Sequence, residues 1–227
     1  MGKRYAIPLI LWVVIIGSFL LAGSWIISSA SGYRFNTQSG RFQKTSFLKI
    51  RTEPREATVL LQGKQVAVKT PWEAKRLFPG NYEIKIEKPG YHSFTKNVTI
   101  EPSQALILDH IVLFKEALGE KASAEEATIL EKTGPPSDLY FQGGEIFSAE
   151  RLITRRSRDV VAAAWYPNKN YVVYQIDSEI RVVELDGSND LKLVDLETKK
   201  PTKFSVSSSG ELLFYQDGGI TKKLALI

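Results

Sequence analysis

The sequence predicts a mainly β protein: an N-terminal transmembrane helix, a small β-sandwich, a short helical linker and propeller-like antiparallel β repeats. Three observations carry this. Ala6–Ser28 is a run of 23 residues without a charge, preceded by Lys3 and Arg4. Short stretches of alternating apolar and polar residues follow, closed by glycine turns; Tyr82, Ile84 and Ile86 alternate with Glu83, Lys85 and Glu87. Near the C-terminus an aromatic–glutamine pair recurs at Gln142, Gln175 and Gln216, spaced 33 and 41 residues apart, a period typical of repeated antiparallel units. In chain order this gives a cytoplasmic tail (1–5), a transmembrane helix (6–28), a membrane-proximal segment (29–45), a sandwich (46–115), a helical linker (116–137) and partial propeller-like repeats (138–227).

Composition bounds the function classes. Of 227 residues, 43% are hydrophobic and 24% charged, which fits neither a disordered chain nor an integral membrane bundle. The net charge of +5 includes Lys3 and Arg4, and no concentrated basic face stands out elsewhere, so no nucleic-acid partner is expected. With no cysteine and two histidines, neither a disulfide framework nor a thiolate metal site is expected.

The charge-free run spans about 35 Å as a helix, enough for a bilayer core of about 30 Å. Lys3 and Arg4 precede it and no acidic residue occurs before Glu53, so the positive-inside rule puts the N-terminus in the cytoplasm and the bulk outside. The lipid bilayer is thus the expected partner of residues 6–28. Ser28-Ser29-Ala30 also has the small residues of a signal-peptide cleavage site, though the apolar core exceeds the usual length of about 7–15 residues. Beyond the helix, Gly32-Tyr33-Arg34-Phe35 and Gly40-Arg41-Phe42 read as two short strands about a turn at Asn36–Gly40, or as residues packed onto lipid headgroups.

In the sandwich, Ala57–Gly63 is an apolar strand running into a glycine turn. Turns at Pro79-Gly80 and Pro89-Gly90-Tyr91 separate the later strands, which include Phe94–Ile100 and Ala105–Phe114. Pro54-Arg55-Glu56-Ala57, Gly63-Lys64, Thr70-Pro71, Pro79-Gly80-Asn81-Tyr82 and Lys88-Pro89-Gly90-Tyr91 together resemble the PEGA domain, a small β-sandwich of microbial surface and envelope proteins. The match covers roughly residues 46–110, and the naming tetrapeptide lacks its glycine. The resemblance, with the anchor before it, implies a bacterial envelope protein.

No catalytic residue and no cofactor is expected. His92 follows a turn. His110 stands beside Asp109 on a strand, where neighbours point to opposite faces, and no nucleophile motif accompanies it. Trp72, Tyr91 and Phe94 are the candidate ligand-stacking residues, with core packing as the alternative role. Asn97-Val98-Thr99 matches a glycosylation sequon.

Ala, Glu and Lys dominate the linker, which predicts a helix over about Ser123–Lys132. Ser123 would cap it with Glu126 as partner, and Gly134-Pro135-Pro136 would stop it. Hairpins follow at Asp138–Phe147, Tyr171–Val183 and Leu212–Thr221. Ala164-Trp165-Tyr166-Pro167-Asn168 resembles the turn of TolB-like and WD40-like blades, and Phe204–Gly210 is a looser copy. Leu139-Tyr-Phe-Gln-Gly143 also resembles a viral-protease tag site, but it fits the repeat and lacks the upstream glutamate. Asp186–Asp190 is read as a hairpin turn, because it lacks the ligand order of an EF-hand.

Residues 138–227 have room for about two blades, whereas closed propellers need four or more. The pattern ends mid-strand at Lys222–Ile227, which predicts a truncated array or an open edge. Self-association is then expected through strands near Tyr171–Val183 and Leu212–Ile220. The functional expectation is a non-enzymatic, membrane-anchored envelope or surface protein, acting as a structural or protein-interaction module. A carbohydrate- or peptidoglycan-binding module is the alternative. The partner would be an envelope protein or a cell-wall polymer.

Overall fold

A computed structural model describes residues 6–37, 39–132, 138–149 and 151–227. The expected tail at residues 1–5, with Lys3 and Arg4, and the stop at Gly134-Pro135-Pro136 lie outside the described residues. The chain is mainly β with two helices among the described residues. It divides into two compact units. One comprises residues up to Lys49 with Glu73–Tyr82 and Val98–Ile107; the other comprises Ile50–Trp72, Glu83–Asn97 and Leu108–Ile227.

Helix α1 (Ala6–Ala30) is long and apolar enough to cross a membrane over Leu11–Ala30, and none of that stretch is buried within the protein. Two of its serines bond within the helix: Ser18 Oγ donates to the Ile15 carbonyl at 2.9 Å and Ser24 Oγ to the Leu20 carbonyl at 2.8 Å. Such internal pairing suits a segment surrounded by hydrocarbon. Gly32, at φ +79°, ends the helix in the left-handed region. The helix runs two residues beyond the expected end, so Ser28-Ser29-Ala30 lies within it. Next, β1 (Tyr33–Asn36) and β2 (Arg41–Lys44) pair as an antiparallel hairpin.

The sandwich strands are β3 (Ser46–Glu53), β4 (Thr58–Leu61), β5 (Lys64–Ala67), β6 (Trp72–Leu77), β7 (Gly80–Glu87), β8 (Phe94–Ile100) and β9 (Ala105–Val112). They form two sheets, ordered β6-β3-β9 and β5-β4-β7-β8. The alternation read from sequence is the burial pattern observed: Ile84 and Ile86 are fully buried, with Glu83 exposed and Lys85 half-buried between them.

Next come β10 (Glu120–Lys121), α2 (Ala124–Lys132), β11 (Leu139–Gln142), β12 (Glu145–Ser148), β13 (Arg151–Arg155), β14 (Val160–Trp165), β15 (Tyr171–Ile176), β16 (Glu179–Glu184), β17 (Leu191–Asp195), β18 (Phe204–Val206), β19 (Leu212–Asp217) and β20 (Ile220–Ala225). Helix α2 starts through the expected capping box. The Ser123 N–H donates to Glu126 Oε2 at 2.8 Å, and the Glu126 N–H donates to Ser123 Oγ at 3.3 Å.

The repeats correct two expectations. Residues beyond 118 form three sheets, one around each expected hairpin, where room for about two blades was expected: β11-β12-β13, β14-β15-β16-β17 and β18-β19-β20-β10. Tyr171–Val183 and Leu212–Ile220 are also not open edges. Strands β15, β16 and β19 each have a neighbour on both sides, and the far side of β20 is taken by β10, with Glu120 opposite Lys223 and Lys121 opposite Lys222. A strand that precedes the repeats thus completes the last sheet.

The second and third sheets repeat one hydrogen-bond pattern at an offset of 41 residues. The Tyr166 N–H donates to the Tyr171 carbonyl, Lys169 to Tyr166 and Leu185 to Asn170. Their counterparts are Ser207 to Leu212, Gly210 to Ser207 and Leu226 to Glu211. One core unites these sheets with the end of the sandwich: Val112 and Phe114 pack with Tyr166, Tyr171, Val173, Leu213, Tyr215 and Leu226.

Candidate interaction surface

The loop from β3 to β4 turns on two threonine hydroxyls. Thr70 is 3% exposed; its hydroxyl lies 2.5 Å from that of Thr52 and accepts the Ala57 N–H at 3.1 Å. Thr52 donates to the Pro54 carbonyl at 2.8 Å, which leaves Thr70 as donor within the pair. The Thr70 carbonyl accepts the Glu56 N–H at 3.1 Å. These hydroxyls are spent on holding Pro54–Ala57 against Thr70-Pro71 and are not available as nucleophiles.

Beside this loop lies a concavity of about 700 Å³, lined by Arg51, Thr52, Glu53, Pro54, Arg55, Pro71, Asp109, Glu211 and Ile227. Its rim carries two guanidinium groups and three carboxylates, so the surface is of mixed charge. Tyr166 is nearby in electrostatic terms. Burial, and then the charges of Glu53 and Glu211, push its phenol upward, so the group stays neutral and donates to the Gly210 carbonyl at 3.0 Å.

Asp109 also meets His110, with Nε2 3.1 Å from Oδ1. This corrects the expectation that strand neighbours point apart: both side chains are exposed and long enough to fold back around the strand edge. Among the described residues no serine or threonine hydroxyl is bonded to either histidine. His92 Nδ1 stands 3.9 Å from Glu116, and its backbone N–H bonds the Phe114 carbonyl. Among the described residues no group of three or more His, Asp or Glu could hold a metal ion.

Of the candidate stacking residues, Phe94 is 3% exposed, so its ring sits among protein atoms. Trp72 and Tyr91 are half-buried, and the Lys88 ammonium lies 6.0 Å from the Tyr91 ring centre. None of the three lines the charged concavity.

These motif halves and their sandwich decide the family likeness. Residues 45–111 match the PEGA domain. No curated protein matches the chain. Among solved structures, a Dos1 propeller is similar with a TM-score of 0.29 and 11% identity over 84% of this chain, which spans 46% of that one. A DUF3823 family protein from Bacteroides ovatus is similar with a TM-score of 0.21 and 11% identity, over 82% of this chain and 97% of that one.

The PEGA match explains an odd backbone angle. Glu56 stands third in Pro54-Arg55-Glu56-Ala57, where the motif's name places glycine, and it adopts φ +63°. The turn needs the left-handed conformation whichever residue supplies it, and an L-residue with a Cβ is held there at a cost of about 1 kcal/mol. The Lys69 ammonium, 3.1 Å from Glu56 Oε1, and Lys88, which donates to the Arg55 carbonyl at 2.8 Å, pin the loop.

Sequence reasoning missed the ionic join between the PEGA strand β8 and the turn after β16. The Lys96 ammonium lies 3.2 Å from Glu184 and 2.8 Å from Asp186, and the Thr95 N–H donates to Asn189 Oδ1 at 3.1 Å. Burial alone would raise the Asp186 carboxyl, but Lys96 and the Ser188 hydroxyl and N–H outweigh it and hold the group down at about 2. A lone lysine in an alternating strand carries no signal for such a contact. The Asp186–Asp190 loop is a hairpin connection, as expected, with its carboxylates occupied by Lys96, Arg181 and Tyr174.

Proposed function

We propose that this chain is a single-pass membrane protein of the bacterial cell envelope, and that its PEGA region and β repeats form a non-enzymatic structural or protein-interaction module. One observation carries the reading. An apolar helix whose stretch Leu11–Ala30 is not buried in the protein precedes a PEGA region at residues 45–111. The Thr52 and Thr70 hydroxyls beside the mixed-charge concavity are engaged in holding the loop, which supports a binding role for that surface. The 41-residue repeat of hydrogen bonds supports reading the later sheets as propeller blades of the TolB or WD40 kind.

Orientation follows from Lys3 and Arg4 if those residues remain in the cytoplasm. Arg34, Arg41 and Lys44 on the other flank oppose that bias and need a separate reason. Alkaline carbonate extraction of membranes, followed by protease added to intact spheroplasts, is the test. Retention in the pellet with loss of the β region to protease is expected. Release by carbonate, or full protection from protease, would overturn the anchored, outward-facing reading.

A second reading, a carbohydrate- or peptidoglycan-binding module, has the partly open rings of Trp72 and Tyr91 in its favour. Saturable binding of the detergent-solubilised full chain to isolated cell wall, lost in Trp72→Ala, would select it over protein interaction.

A further inference from the structure

The hairpin after the helix is amphipathic in an unusual place. Its register pairs Tyr33 with Lys44 and Phe35 with Phe42, and, on the alternate positions, Arg34 with Gln43 and Asn36 with Arg41. Paired residues share a face, so one face carries Tyr33, Phe35 and Phe42 and the other carries Arg34 and Arg41. The aromatic face is uncovered: Tyr33, Phe35 and Phe42 are 39%, 50% and 55% exposed. Phe35 and Phe42 meet edge-on at 5.3 Å, and Lys44 sits 5.4 Å from the Tyr33 ring centre.

The hairpin is tied to the helix end, where the Thr45 N–H and hydroxyl both donate to the Gly32 carbonyl at 2.9 and 3.1 Å. Together they line a concavity of about 430 Å³ that includes Trp25, Tyr33, Arg34, Phe35, Arg76 and Phe78. Among the described residues neither Arg34, Arg41 nor Arg76 pairs with a carboxylate.

We propose that this hairpin, with Trp25, Arg76 and Phe78, is a second membrane contact that docks on a leaflet of anionic phospholipid. The aromatic rings enter the interface and the arginines hold lipid phosphates. The proposal rests on the reading of α1 as a membrane span. Twenty-five residues of helix extend about 37 Å, against a hydrocarbon core of about 30 Å. The last turn therefore stands in the headgroup layer, and β1 begins three residues later. Aromatic rings with an apolar body and a polar surround favour that layer, and a basic cluster there is attracted by anionic headgroups. The absence of any acidic residue before Glu53 leaves this attraction unopposed within the hairpin. The arrangement also supplies the separate reason that the basic residues on the outer flank require.

The chain has no cysteine, so single-cysteine labels can be placed at will. The full chain is reconstituted in nanodiscs of phosphatidylcholine, alone or mixed with phosphatidylglycerol. One environment-sensitive dye sits at Ser39→Cys on the hairpin, and in a separate sample one sits at Ser18→Cys in mid-helix. Nitroxide lipids labelled near the headgroup are expected to quench the Ser39 label, more strongly with phosphatidylglycerol. Phe35→Ser with Phe42→Ser should abolish that quenching. The exposed pair Arg34→Gln with Arg76→Gln, which removes no packing ring, should abolish the dependence on phosphatidylglycerol. The Ser18 label, quenched by nitroxide deep in the acyl chain, reports the span itself. A quenched Ser18 label with an unquenched Ser39 label in both lipids would overturn the docking while leaving the anchor intact. Quenching at Ser39 that ignores phosphatidylglycerol and both arginine changes would overturn the headgroup contact. An unquenched Ser18 label would overturn the span and the docking together.

Discussion

Replacing Tyr171 with phenylalanine tests whether the end of the PEGA sandwich and the β repeats form one cooperative core. The Tyr171 hydroxyl accepts the Val112 N–H at 3.0 Å, in a place where Tyr171 is 1% and Val112 3% exposed. The substitution keeps the ring, and with it the edge-on contacts to Phe114 and Tyr166 at 5.4 and 6.0 Å. What is lost is one acceptor, and water cannot reach the N–H left behind. An unsatisfied buried donor costs about 1–3 kcal/mol, while the missing oxygen leaves a space too small to add much cavity cost. For a chain of this size each kcal/mol lowers Tm by about 2–4 °C. Tyr82→Phe is the control: its hydroxyl donates to the Phe78 carbonyl at 2.8 Å, but the residue is half-buried and the carbonyl can turn to water, so under about 1 kcal/mol is expected. Urea unfolding of the detergent-solubilised full chain, followed by circular dichroism, gives both midpoints. A Tyr171→Phe midpoint equal to wild type, or two separate transitions in the wild type, would refute the shared core.

Glu56→Gly should stabilise the chain by about 0.5–1 kcal/mol by relieving the left-handed strain, since the exposed ion pair with Lys69 that it removes is worth little; the same unfolding assay reads it. Gly90, at φ +78°, should cost about 1–2 kcal/mol as valine, again read by urea midpoint, whereas His92→Ala should leave the midpoint unmoved. Ala122→Pro removes the N–H that donates to the Thr221 carbonyl at 3.0 Å beside β10, and should both destabilise by about 1 kcal/mol or more and raise self-association in analytical ultracentrifugation. For pH, Asp186 is depressed from the ordinary aspartate value of about 3.9 to about 2, so the folded state binds fewer protons than the unfolded state between those values. The stability it supplies is full above about pH 4 and is lost as pH falls towards 2. The side chain is 42% exposed, so solvent screening reduces the loss to roughly 1 kcal/mol, and Lys96→Met should flatten that part of an acid-denaturation curve.

Legibility followed the range of the interactions. The apolar helix, the sandwich alternation and the Ser123–Glu126 capping box are local patterns, and each appears in the fold where the pattern lies. Glu56 hid its left-handed angle because glutamate gives no sign of positive φ, which glycine would have announced. Strand β10 escaped because two charged residues carry no periodicity; its pairing is dictated by β20, a hundred residues away. The hairpin of the first sheet was legible at Asp138–Phe147, but its third strand β13 was not; this sheet precedes the next unit by 33 residues rather than 41 and is a shorter, three-stranded member. Gln175 is fully buried and bonded to the Asp177 and Lys200 carbonyls and the Thr202 N–H, whereas Gln142 and Gln216 are exposed. One recurring letter therefore stood for two different roles. The charged concavity was invisible for a related reason: Arg51 and Glu53 flank Thr52 on one strand, while Asp109 arrives from β9 and Glu211 from the bend before β19, far apart in sequence.

The open edges bear on how the repeats meet other molecules. Every sheet ends in a strand with unpaired backbone groups, and an edge that is long, flat and apolar invites pairing. Three of the edges here are of another kind. Strand β13 carries Arg151 and Arg155 at its two ends, and β17 carries Lys192 and Asp195, paired at 2.8 Å. The interior strands β15, β16 and β19 are each covered on both sides. Strand β10, short and charged, caps β20 with Glu120 opposite Lys223 and Lys121 opposite Lys222. Lys223 is drawn further in by Glu126 of α2 at 2.9 Å, so the helix after β10 helps to hold the cap in place. Charged, short edges disfavour sheet-to-sheet addition at β13, β17 and β10, whereas the edge strand β14 (Val160–Trp165) is apolar.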